Sequence, residues 1–270
     1  MDVHVAKLDK KQLAAMPVAE RGLLLLLAHA NNEINVLSKL ILMMRKDDPP
    51  SRILDHVEAG QAFILMRLLT GKLHEAWELF KSRVQSNRAI ATTYLPRLQP
   101  EGAEALKALN AHFGAGSALS AIRNKISFHY SDKANLTEAN FQQLAESEPL
   151  QFYLTKTVGN SFYHADELIA QMGAISLMKA PAPANPHDTA SAEVRAFAAL
   201  CREIVEVSGH ITELFGELIA MLAESAVNEL VPEQVPDGPK LSTFSLPYFF
   251  DENDALPEPA TIDEGHVEPG

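Results

Sequence analysis

One short segment of the 270-residue chain combines a permanent cation with a group that titrates near neutral pH. In this segment Arg123 and Asn124 are adjacent, and His129 follows a few residues later. An arginine presents a planar fork to phosphate oxygens, and a histidine can accept or give a proton at neutral pH. Asn124 could orient either the histidine or the phosphate. Residues of these types are suited to acid–base chemistry at a phosphate group.

These side chains must be brought together by the element that carries them. The sequence predicts a helix over 117–129, and the polar residues 131–135 indicate a loop directly after it. Six residues of ideal helix rotate by about 240°, so Arg123 and His129 share a face only where the helix loosens or ends near His129. The alternative is structural: Arg123 pairs with a nearby acid, and His129 caps the last turn by binding exposed carbonyls.

Apolar residues recur at helical spacing through most of the chain, and an all-α fold is therefore predicted, a bundle of long helices. Only the segment 149–158 has strand-like content, which predicts a loop or a short strand there. The predicted helices cover 18–44, 51–71, 73–94, 100–111, 117–129, 136–145, 162–178 and 189–230.

Composition divides the chain into three parts. Residues 1–17 form an N-terminal segment, and residues 18–230 form the helical bundle domain, with a proline- and alanine-rich linker near 179–188 before the long last helix. Residues 231–270 hold nine acids and one base, and this composition predicts a Pro-rich acidic tail that is mostly disordered. The aromatic island at 244–250 within the tail either docks on a surface, that of the bundle or of a protein partner, or completes the core.

Several classes of protein do not fit this sequence. The longest stretch without charged residues is too short to span a bilayer, and the N-terminal region is unlike a secretory signal. The single cysteine, Cys201, cannot form an internal disulfide, and these features together predict a cytoplasmic protein. No metal or cofactor motif is present, and His74 with Glu78 is interpreted as a surface contact one helical turn apart. No cofactor and no metal site are therefore expected.

The distribution of charge bears on the kind of partner. The net charge of −12 argues against nonspecific binding of nucleic acid. Much of the acidity lies in the tail, however, and the stretch 67–133 holds ten bases against five acids. This basic stretch is compatible with binding nucleic acid, and equally with an ordinary solvated helix surface.

The string RNKISFHYSD, from Arg123 to Asp132, resembles the motif of the HEPN family in its abortive-infection and toxin-type branches. In that family an arginine, an adjacent polar residue and a histidine four to six residues later lie near the end of a helix in a small all-helical domain. The polar cluster Asn31-Asn32-Glu33 in the apolar first helix fits the same context. The length of the chain, the linker and the acidic tail depart from a compact member of the family.

The resemblance implies a function for Arg123, Asn124 and His129. Catalytic HEPN proteins are metal-independent endoribonucleases that place two copies of the motif at a homodimer interface, so RNA and a second copy of the chain are the implied partners. A phage-defence or toxin–antitoxin setting is implied as well. Many members have lost activity, and the alternative is a noncatalytic helical binding or scaffold protein with a structural Arg/His pair.

Overall fold

A computed structural model describes residues 2–44, 52–114, 192–224, 226–227 and 230–238, together with Leu119, Tyr153, Ala165, Asp166, Ile169 and Ala182. This part of the chain is mostly helical, as predicted. Its elements in chain order are β1 (Asp2–Ala6), α1 (Lys10–Ala15), α2 (Val18–Met44), α3 (Arg52–Phe80), α4 (Arg88–Tyr94), α5 (Pro100–Gly114), α6 (Ala192–Glu224) and β2 (Leu230–Gln234).

The first long helix, α2, has the predicted bounds. Its start is fixed by Pro17, whose carbonyl accepts a hydrogen bond from the Arg21 N–H at 3.0 Å, as in a first helical turn. Its apolar residues repeat at helical spacing, and Leu23, Leu27 and Ile34 are buried in the core.

The predicted second helix and the first part of the predicted third helix are in fact one helix, α3. The rest of the predicted third helix, up to Tyr94, is divided between a π-helical turn and the separate helix α4. Gly71 predicts the end of the second helix, because glycine is a helix-stop signal and weakens a helix interior by about 1 kcal/mol. Burial of Leu69, Leu73 and Trp77 around that position outweighs this cost, since each large apolar side chain contributes about 2 kcal/mol when it leaves water. The helix therefore continues through Gly71 and passes directly into a π-helical turn, Lys81–Gln85.

The last long helix, α6, forms the centre of the bundle and packs against α2, α3 and α5. Its buried stripe follows the helical period for most of its length, and it ends at Glu224, six residues before the predicted end near Leu230. The fully buried members of this stripe are Ile211, Leu214, Phe215, Leu218 and Leu222. None of the described helices combines the length and the apolar character needed to cross a membrane.

A two-stranded antiparallel sheet joins the two ends of the described chain, and the sequence analysis predicted neither strand. Strand β1 pairs with β2 in the register Asp2 to Gln234 and Ala6 to Leu230. The segment 1–17 thus contains a strand and the short helix α1, which Asp9 caps by accepting from the Gln12 N–H at 2.7 Å. Strand β2 crosses the predicted boundary between bundle and tail at residue 230.

Helix α5 is attached to α6 by a carboxylate at its first turn. Glu217 accepts hydrogen bonds from the N–H groups of Gln99, at 2.9 Å, and Gly102, at 3.0 Å. These N–H groups have no partner within the helix, so the carboxylate supplies the cap that an N-terminal side chain would normally provide. A Cβ on residue 102 would lie 2.6 Å from the Glu217 carboxyl, which explains the glycine at this position.

We expect Gly102→Ala to lower the free energy of unfolding by about 1 kcal/mol, because the new methyl group displaces the Glu217 carboxylate and the two hydrogen bonds are lost. Chemical denaturation of four proteins measures this effect: the wild type, Gly102→Ala, Glu217→Ala and the double variant. In the Glu217→Ala background, Gly102→Ala should leave the free energy of unfolding unchanged or raise it slightly, since alanine at 102 favours the helix and there is no carboxylate to displace. Equal effects in both backgrounds would contradict this account of the cap.

Several predictions concern residues outside the described part of the chain. They include the helix over 136–145, most of the linker near 179–188, the aromatic island 244–250 and the acidic tail beyond residue 238. These remain predictions from the sequence. Of the strand-like segment 149–158 only Tyr153 is described, and it is not in a strand; of the predicted helix over 162–178 only Ala165, Asp166 and Ile169 are described, and all three are helical.

Candidate functional site

The residues of the sequence motif, Arg123, Asn124 and His129, also lie outside the described residues. Two parts of the chain that precede them are described, namely the end of helix α5 and Leu119. Helix α5 ends at Gly114, and Leu119, four residues before Arg123, lies in a helix and is fully buried in the core. The helical state of Leu119 agrees with the predicted helix over 117–129 at that one position.

Aromatic rings cover the end of α5 where the chain leads toward the motif. Phe113 stacks on Trp77 with ring centres 5.2 Å apart, and Trp77 stacks in turn on Phe80 at 5.2 Å. The His112 ring meets the edge of Phe113 at 4.8 Å, and His74 of α3 meets it at 6.3 Å. This stack holds the last turn of α5 against α3, and it fixes the position of His112.

Glu203 of α6 contacts both His112 of α5 and the backbone of Leu119. Its Oε1 is 3.5 Å from Nε2 of His112, and both side chains are about one-fifth exposed. The His112 nitrogen makes no hydrogen bond within the described residues, so this is a contact rather than a bonded ion pair. The Glu203 carboxyl accepts a hydrogen bond from the Leu119 backbone N–H.

Burial brings the proton affinities of these two groups closer together. The pKa of His112 is lowered, mainly by burial and further by the charge of His210. The pKa of Glu203 is raised by burial, an effect that the Leu119 hydrogen bond opposes and the Glu206 charge reinforces. Both shifts favour uncharged forms, as expected for two groups removed from water without a close ionic bond.

Neither His112 nor Glu203 was predicted from the sequence. No sequence motif contains His112, because Glu203, the residue it contacts, lies about ninety positions away. Glu203 gave one signal: it stands between Leu200 and Ile204 in the buried stripe of α6, where an apolar residue is expected.

The contact predicted between His74 and Glu78 is present, with His74 Nε2 at 3.9 Å from Glu78 Oε1 across one helical turn. The described residues contain no cluster of three or more histidine, cysteine or acidic side chains that could hold a metal ion. Glu78 binds Lys81 more closely, at 2.7 Å.

The described part of the basic stretch 67–133 is largely neutralised by acids. Four of its seven described basic side chains contact carboxylates. The other three, those of Arg83, Arg88 and Lys107, are exposed. Lys72 binds Glu33 of the polar cluster 31–33 at 2.6 Å and so ties α3 to α2. The other three pairs are Arg67 with Asp166 at 3.5 Å, Lys81 with Glu78, and Arg97 with Glu224 at 2.7 Å.

Cys201 carries no sign of thiol chemistry. Burial raises the pKa of its thiol to about 11, and the thiolate, which is the reactive form, is therefore scarce at neutral pH. The Sγ atom lies 3.6 Å from the Met66 sulfur, in the contact between α6 and α3.

Comparison of the chain with protein-family models, with curated proteins and with solved structures gives no match.

Proposed function

We propose that the protein is an HEPN-like, metal-independent endoribonuclease in which Arg123, Asn124 and His129 form the catalytic site. The observation that carries this proposal is the motif itself, a phosphate-binding cation and a titratable imidazole at family spacing in a mostly helical protein. The helical, buried Leu119 supports it, because this residue, four positions before Arg123, lies in the core.

Each residue has a defined part in the proposed reaction. The imidazole of His129 accepts the proton of an RNA 2′-hydroxyl, and the 2′-oxygen attacks the adjacent phosphorus. The Arg123 guanidinium stabilises the negative charge that develops on the phosphorane oxygens, and Asn124 orients the phosphate or the imidazole. The bond from phosphorus to the 5′-oxygen then breaks. A second imidazole gives that oxygen a proton, leaving a 2′,3′-cyclic phosphate and a 5′-hydroxyl.

The second imidazole comes from a second copy of the chain. One motif supplies one histidine, whereas the reaction needs a base and an acid at opposite sides of the phosphorus. A homodimer that pairs two motifs across a two-fold axis supplies both groups. We propose that this dimer acts on RNA in the cytoplasm, in a phage-defence or toxin–antitoxin setting, with the aromatic island 244–250 as the contact for a protein partner.

We expect the purified protein to cleave single-stranded RNA in the presence of excess chelator and to sediment as a dimer at micromolar concentration. The same RNA with a 2′-deoxyribose at the cleavage position should remain intact, because the attacking oxygen is missing. Gel analysis of end-labelled RNA measures cleavage and identifies the cyclic phosphate. A folded monomer without activity, or cleavage that disappears with chelator, would overturn the proposal.

One observation favours a second candidate, a noncatalytic helical binding protein. Four of the seven described bases in the basic stretch already contact carboxylates and are therefore not free cations for RNA phosphates. In this second function Arg123 and His129 are structural. A folded dimer that binds RNA or a protein and leaves RNA uncut over hours would support the binding protein over the nuclease.

A further inference from the structure

The segment 79–100 has four basic residues and no acidic one, in a chain whose net charge is −12. Two of these bases, Lys81 and Arg97, are neutralised by carboxylates. The other two, Arg83 and Arg88, are exposed, and neither pairs with a carboxylate of the described residues. The segment therefore presents unpaired positive charge on the surface of an acidic protein.

Arg83 and Arg88 lie on either side of a tight turn that joins the π-helical turn to α4. In this turn the Asn87 N–H donates to the Val84 carbonyl at 3.2 Å, and the Asn87 side chain caps α4 by accepting from the Ile90 N–H. Five residues of extended chain span at most about 18 Å, and the turn brings the two arginines closer than that. One short single strand of nucleic acid can therefore contact both.

Helix α5 adds a third exposed cation next to this turn. The Gln85 side-chain amide donates to Asn110 Oδ1 at 3.0 Å, and this bond joins the π-helical turn to α5. Lys107 lies one helical turn before Asn110 on the same side of α5, and it is exposed. The basic surface, as we define it, consists of Arg83, Arg88 and Lys107.

We propose that the basic surface binds the phosphate backbone of single-stranded RNA without reading its base sequence. The planar guanidinium forks of Arg83 and Arg88 fit phosphate oxygens, and Lys107 adds a point charge. The two aromatic residues of segment 79–100, Phe80 and Tyr94, are buried, so the segment offers no ring on which a base could stack. The choice of RNA as the ligand rests on the proposed function.

The charge of the whole chain favours this place of contact over others. A net charge of −12 repels a polyanion from most approaches, whereas a surface without acids attracts it locally. Binding by such contacts releases counterions from the RNA and therefore weakens steeply as salt is added. The basic surface holds the RNA, and the chemistry of cleavage stays with Arg123, Asn124 and His129.

We expect Arg83→Gln combined with Arg88→Gln to weaken RNA binding about tenfold at low salt, because two phosphate contacts are lost. The plot of log affinity against log salt should become less steep by about 0.7 for each lost contact. Lys107→Gln is an independent variant on α5 and should weaken binding about threefold. Fluorescence anisotropy measures the affinity for a short labelled RNA that is fully 2′-O-methylated and so resists cleavage. A second RNA of the same composition and shuffled sequence should bind equally.

The matched control is Lys10→Gln combined with Lys11→Gln. It removes the same charge from exposed positions on α1 and should bind RNA as the wild type does. Circular dichroism verifies that each variant is folded. Equal losses in the two double variants would overturn the inference, because only net charge would then matter. Wild-type protein that ignores RNA at low salt and binds a polyglutamate peptide would also overturn it, since the basic surface would then serve an acidic protein.

RNA cleavage separates this inference from the proposed function. If both hold, the Arg83→Gln, Arg88→Gln variant should raise KM about tenfold and leave kcat nearly unchanged, because it removes binding that is equal in the ground and transition states. Wild-type protein that binds RNA through the basic surface and leaves it uncut would reject the nuclease and keep the surface. Cleavage with the same KM in this variant and in the wild type would reject the surface alone.

Discussion

His129→Ala should lower the rate of RNA cleavage by at least about a hundredfold, because loss of a general acid or base costs about 10²- to 10⁴-fold. Arg123→Ala should cost about a hundredfold or more, since it removes a cation directed at charge that develops only in the transition state. Arg123→Lys should recover part of the rate, because the lysine keeps the charge but lacks the planar fork. Single-turnover cleavage with enzyme in excess measures these rates.

The matched control for the histidine is His29→Ala. His29 lies on α2 with its side chain 71% exposed, and its removal should leave both the fold and the cleavage rate unchanged. Circular dichroism and sedimentation verify that each variant is folded and dimeric. If His129→Ala and Arg123→Ala fold and cleave RNA at the wild-type rate, these residues are not catalytic. If both variants unfold, the Arg/His pair is structural.

Phe80→Ala should lower the free energy of unfolding by about 4 kcal/mol, which is typical for removal of a buried aromatic ring. Phe80 is fully buried, and its ring stacks on Trp77, which stacks in turn on Phe113. The substitution therefore leaves a cavity and also removes one member of an aromatic stack. Trp77 is the only tryptophan in the chain, so urea denaturation followed by its fluorescence measures the loss.

The control for this substitution is Leu25→Ala on α2. Leu25 is 55% exposed, and truncation of its side chain should change the free energy of unfolding by no more than about 0.5 kcal/mol. Similar losses for Phe80→Ala and Leu25→Ala would mean that the aromatic stack does not belong to the core of the cooperative unit.

The extent to which the sequence predicted the fold differs from element to element. Helix α2 has the predicted bounds because its apolar spacing and Pro17 are local signals that packing reinforces. Helix α3 was divided at Gly71 because the local cost of glycine is visible in the sequence, whereas the compensating burial of Leu69 and Leu73 is not. The strands β1 and β2 were missed since each is five residues long and their pairing depends on distant partners.

The same distinction applies to the site. Arg123, Asn124 and His129 are neighbours in the chain, and their spacing alone is enough to predict a catalytic motif. The contact between His112 and Glu203 depends on how α5 packs against α6, and no spacing in the sequence encodes it. Only the position of an acid within the buried stripe of α6 indicated that this face of the helix meets a polar group.

The register of the two-stranded sheet determines how the protein responds to a mechanical load. Asp2 and Gln234 are opposite each other at the outer end of the sheet, while Ala6 and Leu230 are opposite each other at the inner end. Tension applied at Asp2 and Gln234 therefore pulls along the hydrogen bonds, which lie across the strands. It breaks the bonds of one residue pair at a time. The sheet peels open from its outer end, and the helices bear the load only after Ala6 and Leu230 have separated.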